Sequence, residues 1–184
     1  MILSGVGGQG ILLAARILSE TALRGGRDVK SSEVHGMSQR GGSVLAQVRF
    51  GPRVFSPLTP EGSGDYLLAQ EELEALRYRG LLRKDGEIIL RCLRIMPSTV
   101  TAGVSEYPER IEETLKYEGY RIEAVPEAEL AALKNPRFAN VFMLGALSRR
   151  LEFPSRIWKE VIREAVPERF GEDNVKAFEK GRQR

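Results

Sequence analysis

The chain has 184 residues, 42% hydrophobic and 29% charged, with a net charge of +3, which is typical of one soluble globular domain spanning residues 1–184. One cysteine and one histidine exclude an internal disulfide, a four-cysteine iron–sulfur cluster and a zinc site built from several such residues. The sequence has no basic stripe interleaved with aromatic residues, so we do not expect it to bind nucleic acid. No apolar run reaches the roughly 18 residues of a membrane span, and we expect a cytoplasmic protein.

The first half of the chain predicts a strand, a helix and a β-hairpin. The apolar pair Ile2–Leu3 opens a buried strand, and from Gln9 apolar residues recur at helical spacing until Gly25–Gly26 ends the helix. Two further strands are predicted at 28–34 and 43–50. A turn at Gly51–Pro52 then suggests a hairpin partner in 53–56.

The second half alternates strands with helices and ends in helices. The predicted strands are 65–69, 87–93 and 120–125, and the predicted helices are 71–82, 108–118, 127–133, 138–147, 153–165 and 173–181, with a Ser/Thr/Gly loop at 97–105. The helix at 138–147 is apolar on most sides and is expected to be deeply buried. This alternation predicts an α/β fold: a single three-layer α/β/α domain with a mixed sheet, a hairpin and a helical C-terminal third.

The segment GVGGQG, residues 5–10, follows the first predicted strand and precedes the first predicted helix. A glycine-rich turn in that position presents unpaired amide groups, aided by the helix dipole, to an anion. Its candidate residues are Gly5, Gly7, Gly8, Gln9 and Gly10. Three interpretations remain open: a dinucleotide site, a tight turn that serves packing alone, and a site for a phosphate, a carboxylate or a partner's backbone.

The spacing of Glu33 favours the dinucleotide interpretation, because an acidic residue about 20 positions on can bind a ribose hydroxyl. The elements that follow argue against NAD(P) or FAD. A dinucleotide fold continues into a crossover helix and a third parallel strand, whereas here the second strand leads into a polar loop and a hairpin.

That polar loop, HGMSQRGGSV at residues 35–44, concentrates hydrogen-bonding groups. Arg40 beside two glycines can direct a planar fork of donors at a carboxylate or phosphate, and a histidine near Glu33 can be held in one tautomer. The alternative is a glycine-rich turn whose polar groups are solvated. The candidate site residues of this loop and its preceding strand are Glu33, His35, Gln39, Arg40, Gly41, Gly42 and Ser43.

Taken together, GVGGQG–ILLAARIL and SEVHGMSQRGGSV resemble the γ-type domain of the 2-oxoacid:ferredoxin oxidoreductases, in the branch that acts on indolepyruvate. GDYLLAQEELEALR, NVFMLGAL and an N-x-x-AF-x-x-G segment at 174–181 fit the same layout. The resemblance covers essentially the whole chain, and the first two motifs together are its most specific part.

The resemblance implies a cofactor-poor subunit of a thiamine-diphosphate-dependent enzyme. Such enzymes oxidatively decarboxylate a 2-oxoacid, here an arylpyruvate, to acyl-CoA and CO2 and reduce ferredoxin. Thiamine diphosphate, Mg²⁺ and [4Fe–4S] clusters are then expected in a larger partner, the α subunit of the indolepyruvate enzyme, with coenzyme A as co-substrate. The two glycine loops would close the partner's active site or bind CoA phosphates.

Two other functions remain open. A free-standing NAD(P)- or FAD-dependent oxidoreductase would bind its nucleotide alone, and a non-catalytic docking subunit would use its loops only for assembly. The single thiol, Cys92, has apolar neighbours and is expected to be buried and structural. No catalytic residue and no metal ligand is assigned from the sequence.

Overall fold

A computed structural model describes residues 1–35, without the side chain of His35, and residues 41–184. Within these residues a mixed sheet has the order β2-β3-β1-β4-β5-β6. Strand β3 runs antiparallel to both β1 and β2, whereas β1, β4, β5 and β6 are mutually parallel. The strands are β1 Ile2–Val6, β2 Asp28–His35, β3 Ser43–Gly51, β4 Gly64–Ala69, β5 Leu82–Cys92 and β6 Arg121–Pro126.

Helices cover both faces of the sheet, which confirms the predicted three-layer α/β fold. They are α1 Ile11–Arg24, α2 Glu72–Tyr78, α3 Ser98–Thr101, α4 Ile111–Tyr117, α5 Glu127–Ala131, α6 Ala139–Ser148, α7 Ser155–Ala165 and α8 Gly171–Arg182. One core joins the sheet to α1, α6, α7 and α8, and a smaller one joins its other face to α2 and α4.

Helix α6 lies at the centre of the larger core, and every one of its ten residues is buried, as the sequence predicts. It crosses α8 at two glycines. A methyl group on Gly145 would overlap the carbonyl oxygen of Phe178, and one on Gly181 would overlap that of Phe142. Glycine therefore sets the distance between these two helices.

Several predicted elements differ from the structure. Residues 53–56 form no strand, and β3 pairs with β2 and β1. Side chains hold the loop after Gly51 instead. Asp28 accepts a hydrogen bond from the amide of Val54, and Gln47 accepts one from the amide of Thr59. Helix α2 ends at Tyr78, and β5 begins at Leu82 rather than residue 87. Leu73, Leu76 and Leu81 are half-buried, and the buried residues of α2 are Glu74 and Ala75.

Cys92, at the end of β5, is half-buried. Burial raises the pKa of its thiol, and the nearby carboxylates of Glu112 and Glu72 raise it further. The thiol is therefore held in its unreactive form, in line with a structural role.

Candidate functional site

The turn between β1 and α1 requires glycine for two different reasons. Gly8 and Gly10 have φ angles of +103° and +74°, in the region that L side chains rarely adopt. Gly10 also lies against Asn140 of α6, where a methyl group would overlap the side-chain amide. Apart from its own chain neighbours, no described residue has an atom within 4 Å of a methyl group placed on Gly8, which is exposed. Gly8 is therefore the open apex of the turn.

Gly5 lies beneath this turn and is buried within β1. A methyl group there would stand 2.6 Å from Oε1 of Gln9 and 2.7 Å from Cδ1 of Ile11. Its small size thus allows the chain to fold back over the end of the strand.

Gln9 holds the turn in place through its side-chain amide. Its Oε1 accepts a 2.7 Å hydrogen bond from the amide of Val6, and its Nε2 donates a 2.9 Å bond to the carbonyl oxygen of Gln70. The first bond closes the turn on the end of β1, and the second ties it to the end of β4. Much of the bonding capacity of this side chain is therefore used within the protein.

The turn that precedes β3 lies directly beside the first one. The amide of Gly7 donates to the carbonyl oxygen of Gly42 at 2.8 Å, and the amide of Gly41 approaches the carbonyl oxygen of Gly7 at 3.5 Å. Gly41 has a φ of +77°. The structure thus brings the first turn together with Gly41 and Gly42 at the carboxyl edge of the parallel strands.

Ser43 anchors the second turn to α2. Its hydroxyl donates to the carboxylate of Glu74 and lies 2.9 Å from the hydroxyl of Tyr78. Glu74 is 4% exposed and also accepts from Nε of Arg77 at 3.2 Å. Ser43 is therefore directed at α2, on the face of the sheet opposite α1.

Glu33 does not lie beside the first turn. It is exposed on β2, the edge strand, and borders a groove of about 630 Å³ whose other side is formed by α1 residues such as Leu12 and Arg16. Strand β3 separates β2 from β1, so two strand spacings of about 4.8 Å each separate their chains. The main chain of His35 pairs with Val44 at the end of β2.

Two of the expected site residues, Gln39 and Arg40, lie outside the described residues, together with 36–38. The topology around the described part of the loop agrees with the argument against a dinucleotide fold. The chain returns from β2 as an antiparallel hairpin and not through a crossover helix.

The exposed side of the first turn has the polarity that suits an anion. Among the described residues, no acceptor is found for the amides of Gly8 and Gly10. Helix α1 has 14 residues and no acidic residue in its first turn, and Gly10 provides no side-chain cap. The first turn of α1 therefore provides no negative charge to offset the positive end of the helix dipole near Gly8.

Sequence reasoning missed three polar residues that support this edge: Gln70, Glu74 and Asn140. Asn140 is 3% exposed and donates to the carbonyl oxygen of Gly10 at 3.2 Å, and a lone polar residue in the apolar stretch of α6 could have indicated it. Gln70 is fully buried, and its side-chain amide has no hydrogen-bond partner among the described residues. Nothing in the local sequence distinguishes Gln70 from a solvated residue at the end of a strand.

Within the residues that the structure describes, no three His, Cys, Asp or Glu side chains are grouped so that they could hold a metal ion. The described helices likewise include none long and apolar enough to span a bilayer.

Comparison with known proteins identifies the class of protein that this fold and edge define. The family model of the pyruvate ferredoxin/flavodoxin oxidoreductases matches residues 1–184, and the chain belongs to that family. Family membership confirms the resemblance found in the two glycine motifs.

Individual relatives show which members of the family this chain is similar to. The chain is 42% identical over 187 residues to indolepyruvate oxidoreductase subunit IorB of Pyrococcus horikoshii, covering 98% of this chain and 93% of the relative. It is also 42% identical over 188 residues to the subunit of that name from Thermococcus kodakarensis, with the same two coverages. Among solved structures, the gamma subunit of a keto/oxoacid ferredoxin oxidoreductase from Geobacter sulfurreducens superposes with a TM-score of 0.73 at 25% identity, covering 99% of this chain and 95% of that one.

Proposed function

We propose that this chain is the small subunit of a cytoplasmic complex that oxidatively decarboxylates an arylpyruvate, indolepyruvate foremost. The reaction forms one acyl-CoA and one CO2 and passes two electrons to ferredoxin. The identity of 42% to two indolepyruvate oxidoreductase subunits, over nearly the full length, supports this assignment.

The cofactors of that reaction belong to the larger partner subunit in this proposal. Thiamine diphosphate with Mg²⁺ would provide the decarboxylation chemistry there, and [4Fe–4S] clusters would carry the electrons. This chain has one cysteine and one histidine, so its own residues do not fit a cluster of four cysteine ligands. The isolated chain is then inactive.

The contribution of this chain is an anion-binding rim at the carboxyl edge of the sheet. The observation that carries it is the 2.8 Å bond from the Gly7 amide to the Gly42 carbonyl oxygen, which joins the two turns beneath the open apex at Gly8. The amides of Gly8 and Gly10, for which the described residues provide no acceptor, lie at a helix N-terminus and suit a phosphate or carboxylate. In the complex this rim closes the partner's active site or receives the phosphates of coenzyme A, with Arg40 adding a full positive charge.

Gly8→Ala in the reconstituted complex tests the rim. The matched control is Gly26→Ala, since Gly26 also has a positive φ, +78°, and nothing within 4 Å of an added methyl group. Both variants should lose a similar amount of stability, about 1 to 2 kcal/mol. Only Gly8→Ala should raise the KM for coenzyme A or lower kcat at least tenfold. Equal activity in the two variants would remove the turn from this function.

Arg40→Met tests the charged part of the proposal. Loss of the guanidinium should raise the KM for coenzyme A or lower turnover while the complex still assembles. If both kinetic constants stay at the wild-type value, Arg40 has no part in the rim.

Two further experiments distinguish the proposed function from the two alternative functions. A pure docking subunit predicts that changes in residues 35–43 disrupt assembly and leave the chemistry of any complex that forms intact. A free-standing oxidoreductase predicts that the purified chain binds NAD(P) or flavin, which absorbance and fluorescence detect directly.

A further inference from the structure

Residues 95–105, here called the knob, follow β5 at the same edge of the sheet as the glycine turns. They include the single-turn helix α3, and hydrogen bonds within the segment close it. The amide of Gly103 donates to the carbonyl oxygen of Val100 at 3.0 Å, and that of Val104 to Thr99 at 2.8 Å. The knob is therefore a compact projection with its own internal bonding.

A buried carboxylate fixes the base of the knob at both ends. Glu71, 1% exposed, accepts from the amide of Ile95 at 3.1 Å and from the hydroxyl of Tyr107 at 2.6 Å. The same tyrosine oxygen accepts from the amide of Leu73 at 3.1 Å. Both ends of the segment are thus held to the start of α2, so the knob has a defined position.

The base of the knob is also linked to the first glycine turn. Glu71 follows Gln70 directly, and the carbonyl oxygen of Gln70 accepts from the side chain of Gln9. The knob and the turn are consequently held by neighbouring residues of one backbone segment at the end of β4.

The composition of the knob differs from that of the rest of the surface. Residues 95–105, between Arg94 and Glu106, include no charged residue, although 29% of the whole chain is charged. Two other uncharged stretches of at least this length, 1–15 and 138–148, lie mostly in buried elements. In the knob, by contrast, Met96 is 52% and Val104 is 77% exposed. Depletion of charge together with exposed apolar groups characterises the centre of a protein–protein interface.

We propose that the knob docks into an uncharged pocket of the larger subunit, beside the glycine turns, and positions them over that subunit's active site. This rests on the proposed function, because it takes the larger subunit as the occupant. The absence of charge is the argument for that occupant. A nucleic acid or an anionic lipid surface would require lysine or arginine here, whereas an uncharged pocket of a protein requires neither.

The test compares two double variants of the full chain for binding to the cofactor-loaded larger subunit. Met96→Ser/Val104→Ser removes the exposed apolar groups of the knob. The matched control, Phe55→Ser/Leu58→Ser, removes two side chains that are 80% and 55% exposed in the loop at the opposite end of the sheet. Since all four side chains are exposed, both variants should keep the wild-type circular dichroism spectrum and melting temperature.

The knob variant should weaken the complex at least tenfold by titration calorimetry or sedimentation, and the control should stay within twofold of wild type. Amide exchange in 96–105 should slow when the complex forms. An unchanged Kd for the knob variant overturns the inference, and so does a loss of affinity confined to the control. If the chain alone forms a dimer that the knob variant dissociates, a second copy is the occupant and the inference is wrong.

These outcomes are distinguishable from failure of the proposed function. If wild-type chain binds no thiamine- and iron-carrying subunit, or the complex does not oxidise arylpyruvates, the proposed function fails on its own evidence. If that complex is active and insensitive to the knob variant, only this inference fails.

Discussion

The amide of Gly7 and the carbonyl oxygen of Gly42 are joined by a 2.8 Å hydrogen bond, although 35 residues separate them in the chain. The bond extends the pairing of β1 with β3 by one step, beyond the register of Val6 with Ser43. Two turns that belong to different connections of the sheet are thus held together by backbone hydrogen bonds.

Removing the side chain of Gln9 should destabilise the protein and loosen the first turn. Gln9→Ala deletes the bonds to Val6 and Gln70, and we expect a loss of about 1 to 3 kcal/mol in the free energy of unfolding. Urea denaturation measures this loss, and faster amide exchange at Val6 locates it. Gln183→Ala, at an exposed position, is the control and should be neutral. Wild-type exchange at Val6 in the Gln9 variant would contradict this role.

The crossing of α6 and α8 should not tolerate a methyl group. Gly145→Ala and Gly181→Ala each place a carbon atom onto a carbonyl oxygen of the facing helix, so we expect each to cost about 3 kcal/mol or more. Gly80→Ala, with nothing within 4 Å of the added methyl group, should change the melting temperature little. Thermal unfolding compares the three, and a wild-type melting temperature for either crossing variant would show that the helices separate without penalty.

The hydroxyl of Tyr107 should contribute to stability through two bonds. Tyr107→Phe leaves the carboxylate of Glu71 without one donor and the amide of Leu73 without its acceptor, for an expected loss of about 1 to 3 kcal/mol. Burial, followed by the bond to Glu71, raises the pKa of this phenol, so it remains protonated and able to donate at all ordinary pH values. Tyr117→Phe, at a residue 94% exposed, is the control in chemical denaturation. Equal stability of the two variants would contradict this contribution.

Stability should fall in acid through Glu123. Burial acts to raise the pKa of its carboxyl group, but Arg150, Arg149 and Arg184 outweigh it and hold that pKa below its ordinary value of 4.5. The ionised carboxylate therefore stabilises the fold above about pH 4.5, and this stabilisation is lost as the pH falls through the lowered pKa.

Melting temperatures measured between pH 6 and pH 3 test this. Glu123→Gln should be less stable than wild type at pH 6, and the difference should shrink as the pH falls and the wild-type carboxylate takes up its proton. Glu61→Gln, at an exposed position, should follow the wild-type curve. A constant difference between wild type and Glu123→Gln across this range would exclude the carboxylate as the cause.

Local patterns were sufficient for the elements whose burial is periodic. The apolar stripe of α1, the glycines after it and the mostly apolar α6 each indicated their structure, and β2 and β3 were predicted to within one residue at each end. The alternation of strands and helices likewise gave the three-layer fold.

What local patterns could not give were pairings between distant segments. The loop after Gly51 resembled a strand, yet Asp28 and Gln47 bind its amides, and those contacts depend on the tertiary fold. The amide of Gln9 was expected to be available to a ligand, but its partner Gln70 is 61 residues away. Glu71 and Glu74 are buried by contacts with distant residues, which the predicted helix at 71–82 did not indicate.

Strand β3 lies between β1 and β2 and so determines which groups lie beside the first glycine turn at the carboxyl edge of the sheet. In place of an acidic side chain beside the first turn, the inserted strand brings the main chain of Gly41 and Gly42. Peptide groups respond to the charge and shape of a guest and hardly to its functional groups. Under the proposed function, we therefore expect selectivity for one oxoacid over another to reside in the larger subunit.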